Sequence, residues 1–229
     1  MIGDTGPVPD QDEVPAWQRK TEGESRWAAT LAVLVVVVLQ IAPPELRQQP
    51  AWLVLPVLEV LLLGVLVVAN PFRINREERL LRNGGLLLTG LLSLATAVSA
   101  GRMVFQLVDG TLTDPLVILL SGGAVWLTNV VVFGLWYWEF DRGGPAARAH
   151  ARKPLPDFLF VQMQNPGLAE PDWEPQFVDY LYLAFTNATA FSPTDVMPMS
   201  RWAKATMMLQ SAISLALVIL VIARAINVM

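Results

Sequence analysis

The stretch PLVILLSGGAVWLTNVVVFGLWYW, residues 115–138, contains no Asp, Glu, Lys or Arg and closes on Trp136, Tyr137 and Trp138. A helix of about 20 apolar residues crosses the roughly 30 Å hydrocarbon layer of a bilayer, and Trp and Tyr suit the headgroup level at its end. The stretch therefore reads as a membrane-spanning helix. Four more apolar runs flank it. Residues 27–42 stop at Pro43 and Pro44, and residues 51–70 stop at Pro71, because proline has no amide to continue a helix. Residues 86–108 follow the Gly84-Gly85 pair, read as a break, and residues 205–229 form the last run. The first run is short for a crossing. The expected fold is an all-α, polytopic membrane helix bundle of about five transmembrane helices.

Composition agrees, with 54% hydrophobic and 16% charged residues against roughly 45–50% and 25% in soluble domains. The net charge of −4 comes largely from Asp4, Asp10, Asp12, Glu13, Glu22 and Glu24, so residues 1–26 read as a mobile acidic tail rather than a signal peptide. No basic nucleic-acid footprint is present. The chain has no cysteine and a single histidine, His150, and no serine stands in a nucleophile-elbow pattern. Thiolate chemistry and zinc ribbons are thereby excluded and imidazole-rich metal sites disfavoured, and the expectation is a non-enzyme without cofactor or metal. His150 itself reads as a solvated linker residue.

Lysine and arginine set the orientation. The tail carries Arg19, Lys20 and Arg26, the second connection Arg73, Arg76, Arg79 and Arg82, and the fourth Arg142, Arg148, Arg152, Lys153, Arg201 and Lys204, whereas the first has only Arg47 and the third none. This predicts a multi-pass protein of the inner (plasma) membrane with a cytoplasmic amino terminus. The every-third-residue arginines at 73–82 have voltage-sensor spacing, but Asn75, Glu77 and Glu78 intervene. An amphipathic connector touching anionic lipid is the better reading.

Within the runs, Glu59 and Arg102 are charges in apolar surroundings. Each costs at least about 2.5–3.5 kcal/mol at a bilayer centre, and similar depths predict that they pair, either to fix helix packing or to serve ion or proton passage. Asn129 is expected to hydrogen-bond a neighbouring helix or to line a pore.

Residues 177–191 form an apolar, aromatic segment about 20 Å long if helical, with Pro175 at a plausible first-turn position. After it come small and polar residues, Thr189 through Asp195 to Pro198. Irregular backbone inside a membrane is tolerated only where protein or a water-filled cavity surrounds it, and Gln210, Ser211 and Ser214 of the next run are placed to face such a cavity. A re-entrant half-helix and an interfacial helix both fit these residues. The Asn187-Ala188-Thr189 glycosylation pattern is coincidental in such a segment.

The order of outer helix, pore helix, threonine-led turn, Asp-x-x-Pro and inner helix resembles the pore module of potassium channels over about the last hundred residues, from Trp126 onward. The resemblance implies an outer helix at 115–138, a linker at 139–176, a pore-helix-like segment at 177–191 and an inner helix at 205–229, behind a three-helix region at 27–108. It implies Thr186 and Thr189 as threonines leading into a filter, Asp195 as the aspartate after it and Pro198 as the proline beyond. Phe191, Ser192, Pro193 and Thr194 stand where the family has Gly-Tyr-Gly. A carbonyl-lined filter needs backbone angles that favour glycine, so standard potassium selectivity is not implied. A homotetramer around an axial pore for a monovalent cation is implied, the alternative being a non-conducting scaffold or partner-binding protein that keeps the plan. The block Trp136-Tyr-Trp-Glu-Phe-Asp-Arg-Gly-Gly-Pro145 and the Phe185–Asp195 stretch also resemble a widespread group of uncharacterised bacterial membrane proteins, which implies no activity.

Overall fold

The computed structural model describes residues 14–42, 53–76, 78–190 and 195–228. The helices are α1 (Trp27–Ile41), α2 (Val54–Ala69), α3 (Arg79–Asp109), α4 (Pro115–Phe140), α5 (Pro145–Ala149), α6 (Val161–Gln164), α7 (Phe177–Ala190) and α8 (Arg201–Val228). Two strands, β1 (Phe158–Phe160) and β2 (Val196–Pro198), pair antiparallel with Leu159 opposite Met197. The chain is thus mostly helical but not all-α: residues 139–176, expected as a linker, contribute a strand, and the pairing ties the approach to α8 to the segment after α5.

Three helices, α3, α4 and α8, are long and apolar enough to cross a membrane. The apolar helices α1 and α2 have 15 and 16 residues, about 22–24 Å at 1.5 Å per residue and short of a 30 Å layer. Large apolar side chains lie in the open around the bundle, among them Leu61, Val65, Phe105, Leu120 and Ile219. Such a surface is compatible with a membrane protein.

Helix α4 is the centre, packing against α1, α3, α7 and α8. It starts where Asp114 accepts hydrogen bonds from Leu116 N (2.8 Å) and Val117 N (3.2 Å), with Pro115 at the first helical position, the sequence grammar of a helix start. It runs two residues beyond the expected 138. Helix α3 departs further from expectation, beginning at Arg79 and passing straight through Gly84 and Gly85. These glycines are approach points: a Cβ on Gly84 would lie 2.9 Å from Leu66 of α2, and one on Gly85 would lie 2.6 Å from Glu139 of α4. Packing here overrides the helix penalty of about 1 kcal/mol per glycine.

The larger apolar core draws on α1, α2, α3, α4, β1, α7 and the start of α8, and includes Val36, Leu92, Tyr137, Phe158 and Leu183. A smaller cluster of Met103, Leu107, Ile118, Val221 and Ala225 joins α3, α4 and α8 at the opposite end. The expected tail is not a tail from residue 14 on. Ala16, Trp17 and Glu24 are buried, Thr21 N donates to Ala149 O (2.9 Å), and Ser25 bridges Arg73. A tryptophan and a carboxylate that meet buried partners outweigh the acidic composition that suggested mobility.

Candidate functional site

The hairpin from α7 to β2 is the structural counterpart of the segment singled out by sequence. Helix α7 runs antiparallel to α4: Phe177 meets Trp138 (ring centroids 5.8 Å), and Phe185 meets Trp126 (5.8 Å) near the middle of α4. Between them a Cβ on Gly134 would lie 3.3 Å from Leu181 Cα, so the small residue admits the α7 backbone. Then the chain turns back. Asp195 lies beside the Tyr182 phenol, about 12 Å back along α7 from Ala190 at 1.5 Å per residue, and β2 returns to β1 at the α4 carboxyl end. Both limbs of the hairpin therefore start and finish at one end of the bundle, and α7 extends about 21 Å into it.

A buried polar node fixes that end. Arg148 of α5 donates to Trp138 O (2.6 Å), Asp141 O (3.1 Å) and Glu24 Oε1 (3.2 Å), and its guanidinium lies 4.9 Å from the Tyr180 ring centroid. The Glu24 carboxylate also accepts from Trp138 Nε1 and, through Oε2, from Phe177 N at 2.8 Å. A carboxylate thus caps the first amide of α7 from 153 residues away, where the helix macrodipole favours negative charge. Asp141 accepts from Tyr180 OH (2.5 Å) and Asp157 N (2.8 Å), while Asp157 accepts from Arg142 N (2.9 Å) and Trp202 Nε1 (2.8 Å). Arg142 holds a left-handed φ of 52°, unusual for a residue with a Cβ, and is held there because its Nε and Nη1 donate to Lys153 O (2.7 Å) and Trp17 O (2.5 Å). Burial pushes the Glu24 carboxyl up to about 6 against the opposing pull of Arg148 and its N–H donors. Burial likewise raises that of Asp141. The cavity at the node is only about 10 Å³, scarcely one water. The node anchors this end of the bundle.

Deeper, a second network joins α7 to α4 and α8. Tyr137 OH donates to Gln210 Oε1 (2.7 Å), which also accepts from Asn187 Nδ2 (2.7 Å), and Gln210 Nε2 donates to Ala184 O (2.9 Å). Ser211 Oγ donates to Asn187 Oδ1 (3.2 Å), and Asn129 Nδ2 donates to Ser214 Oγ (3.1 Å), the interhelical bond expected of Asn129. Gln210 and Ser214 are fully buried, so they face protein, not an open cavity.

The expected filter residues fall differently. Thr186 and Thr189 lie on α7 itself, their hydroxyls donating to helix carbonyls: Thr186 to Tyr182 O and Leu183 O (3.0 Å each), Thr189 to Phe185 O (2.9 Å). Asp195 is half-buried, with Oδ1 lacking a hydrogen-bond partner among the described residues. Phe191, Ser192 and Thr194 lie outside the described residues.

The expected Glu59–Arg102 pair is not formed. Glu59 is fully buried on α2 and its Oε1 accepts from Gln40 Nε2 of α1 at 3.5 Å, whereas Arg102 is exposed on α3. The contact between Leu66 and Gly84 sets the register of α2 against α3, and it leaves the two charges about 16 Å apart along the axis. The depth match counted Glu59 from Ala51 and Arg102 from Val108 as if those two ends lay level, but α3 has 31 residues against 16 in α2 and its carboxyl end extends well beyond the start of α2. Three of the four arginines of the second connection reach backbone: Arg73 to Gly23 O (2.9 Å), Arg76 to Ala69 O (2.8 Å) and Arg82 to Gly143 O. His150 Nε2 lies 2.9 Å from Asn75 O.

Sequence reasoning missed Glu24, Asp141, Arg148 and Tyr180 as a unit. The available signal was the charge-rich block after Trp138, three charged residues directly after a candidate span. Among the described residues no group of three His, Cys, Asp or Glu side chains is placed to hold a metal ion. No protein-family model, no curated protein and no solved structure matches the chain.

Proposed function

We propose that this chain is a channel-like integral membrane protein of the inner membrane, in which α4, α7 and α8 act as outer, pore and inner helix of a homo-oligomeric axial pore for cations. What carries the reading is the hairpin that dips about half the length of α4 and returns to the end it left. A helix ending at mid-depth directs its negative carboxyl end at that level, which favours a cation there. The exposed α7 stripe of Val178, Tyr182 and Phe185 offers the face that neighbouring subunits would cover, since one hairpin per chain needs several chains to surround an axis. Glycine-free residues after Thr189 argue against standard potassium selectivity.

A second reading, a non-conducting scaffold that keeps the plan, is favoured by one observation: the Thr186 and Thr189 hydroxyls are bonded to their own helix. Subunit counting in lipid together with planar-bilayer recording separates the two. A tetramer whose cation conductance falls in Asp195→Asn supports the pore. A monomer silent in several salts at both polarities refutes it and leaves the scaffold.

A further inference from the structure

One cavity in the described structure lies away from the hairpin. It occupies about 430 Å³ between α1, α2, α3 and the carboxyl end of α4, within the roughly 300–1,000 Å³ of small-molecule sites. Its two ends differ in chemistry. Deep in the bundle the wall is aliphatic, with Val33, Leu63, Leu66 and Leu88. Toward the end of the bundle it holds seven arginine or lysine side chains, Arg26, Arg79 and Arg82 among them, against Glu78 and Glu139. Glu139 is faced by Arg82 and Arg26, so a positive excess remains.

A second observation points the same way. Four buried polar atoms of residues in this wall, Arg26 Nε, Thr30 Oγ1, Asn70 Nδ2 and Arg142 Nη2, have no hydrogen-bond partner among the described residues. Three of them can only donate. A buried donor without an acceptor costs about 1–3 kcal/mol, and native proteins rarely concentrate several around one space. Thr30 and Asn70 are each more than nine-tenths buried, so the acceptor that completes them must come into the wall.

We infer that this cavity binds an anionic amphiphile: a phosphate-bearing head on Arg26, Arg79 and Asn70, and a hydrocarbon body along Val33, Leu63, Leu66 and Leu88. Basic pockets between helices at the cytoplasmic side of a membrane suit acidic lipid heads, and the aliphatic depth distinguishes this site from one for a bare anion. The inference is independent of the pore reading, because none of these residues belongs to α7 or α8.

The test uses the full chain in non-ionic detergent, with binding followed by native mass spectrometry and by thermal shift. Phosphatidylglycerol, phosphatidylcholine, decyl phosphate and inorganic phosphate form the arms. Phosphatidylglycerol binding that weakens roughly 30-fold in Arg26→Gln/Arg79→Gln, from about 1 kcal/mol per arginine, and is unchanged in Arg201→Gln/Lys204→Gln, supports the site. Decyl phosphate binding without lipid binding supports a soluble amphiphile as the occupant. Leu88→Trp fills the apolar part and provides a variant that keeps every charge; it is expected to block both amphiphiles. Equal binding of phosphatidylcholine, equal binding of inorganic phosphate, or indifference to both cavity variants would overturn the inference.

Discussion

The two halves of the bundle treat most of their buried polar groups differently, Trp126 Nε1 and Asp195 Oδ1 being exceptions on the hairpin side. Where α4 meets α7 and α8, Tyr137, Asn187, Gln210, Tyr180 and Asp141 are all bonded to one another or to backbone. Where α1, α2 and α3 meet, Thr30 Oγ1, Gln40 Oε1, Glu59 Oε2 and Asn70 Nδ2 are buried without partners among the described residues, and a 430 Å³ cavity lies between the helices. Completed networks specify one arrangement and resist change. Incomplete ones beside a cavity mark where something else supplies the missing half. The first half therefore holds the hairpin still, and the second is built to receive a ligand.

The sharpest way to break this contrast is at the node. Arg148→Met strands Glu24 and two backbone carbonyls and should cost about 3–5 kcal/mol, as expected for breaking a buried ion pair, read as lost resistance to denaturation in detergent. A cost below 1 kcal/mol would mean that the node is not what fixes the hairpin. The pH dependence is next. Glu24 has a folded value of about 6 against an ordinary 4.5, so the folded state holds an extra proton between those values and stability falls as pH rises through that window. The full effect is about 2 kcal/mol, present below pH 4.5, gone above 6 and abolished in Glu24→Gln. Tyr137→Phe removes one donor while Gln210 Oε1 keeps Asn187, and should cost about 0.5–1.5 kcal/mol. Thr186→Val and Thr189→Val should stay within about 0.5 kcal/mol. A conductance that changes in these two variants at unchanged stability would show that the hydroxyls leave their helix carbonyls to face a pathway.

The apolar runs were legible because hydrocarbon imposes length and purity on a helix. The run opening at Pro115 marked the start of α4, and the half-length of 177–191 announced α7 to within a residue. What escaped was set by distant partners. Gly84-Gly85 reads as a break until Leu66 and Glu139 are known to press against it. Glu24 reads as part of an acidic tail until Arg148 and the Phe177 amide are found at its carboxylate. The Glu59–Arg102 pairing failed for a related reason, since depth counted from helix ends assumes that the ends lie level, and α2 and α3 differ in length by 15 residues, 16 against 31. The β1–β2 pairing joins residues about 38 apart through three-residue strands, too short for periodicity to register.

The central claim is that the Phe177–Pro198 segment leaves one face and returns to it. The chain has no cysteine, so single cysteines report cleanly with a membrane-impermeant maleimide on sealed vesicles of each orientation. Gln176→Cys, Met199→Cys and Lys153→Cys are expected to label from one side, and Thr113→Cys, between α3 and α4, from the other. Labelling of Gln176→Cys and Met199→Cys from opposite sides would contradict the account, because the segment would then cross the membrane instead of turning back within it.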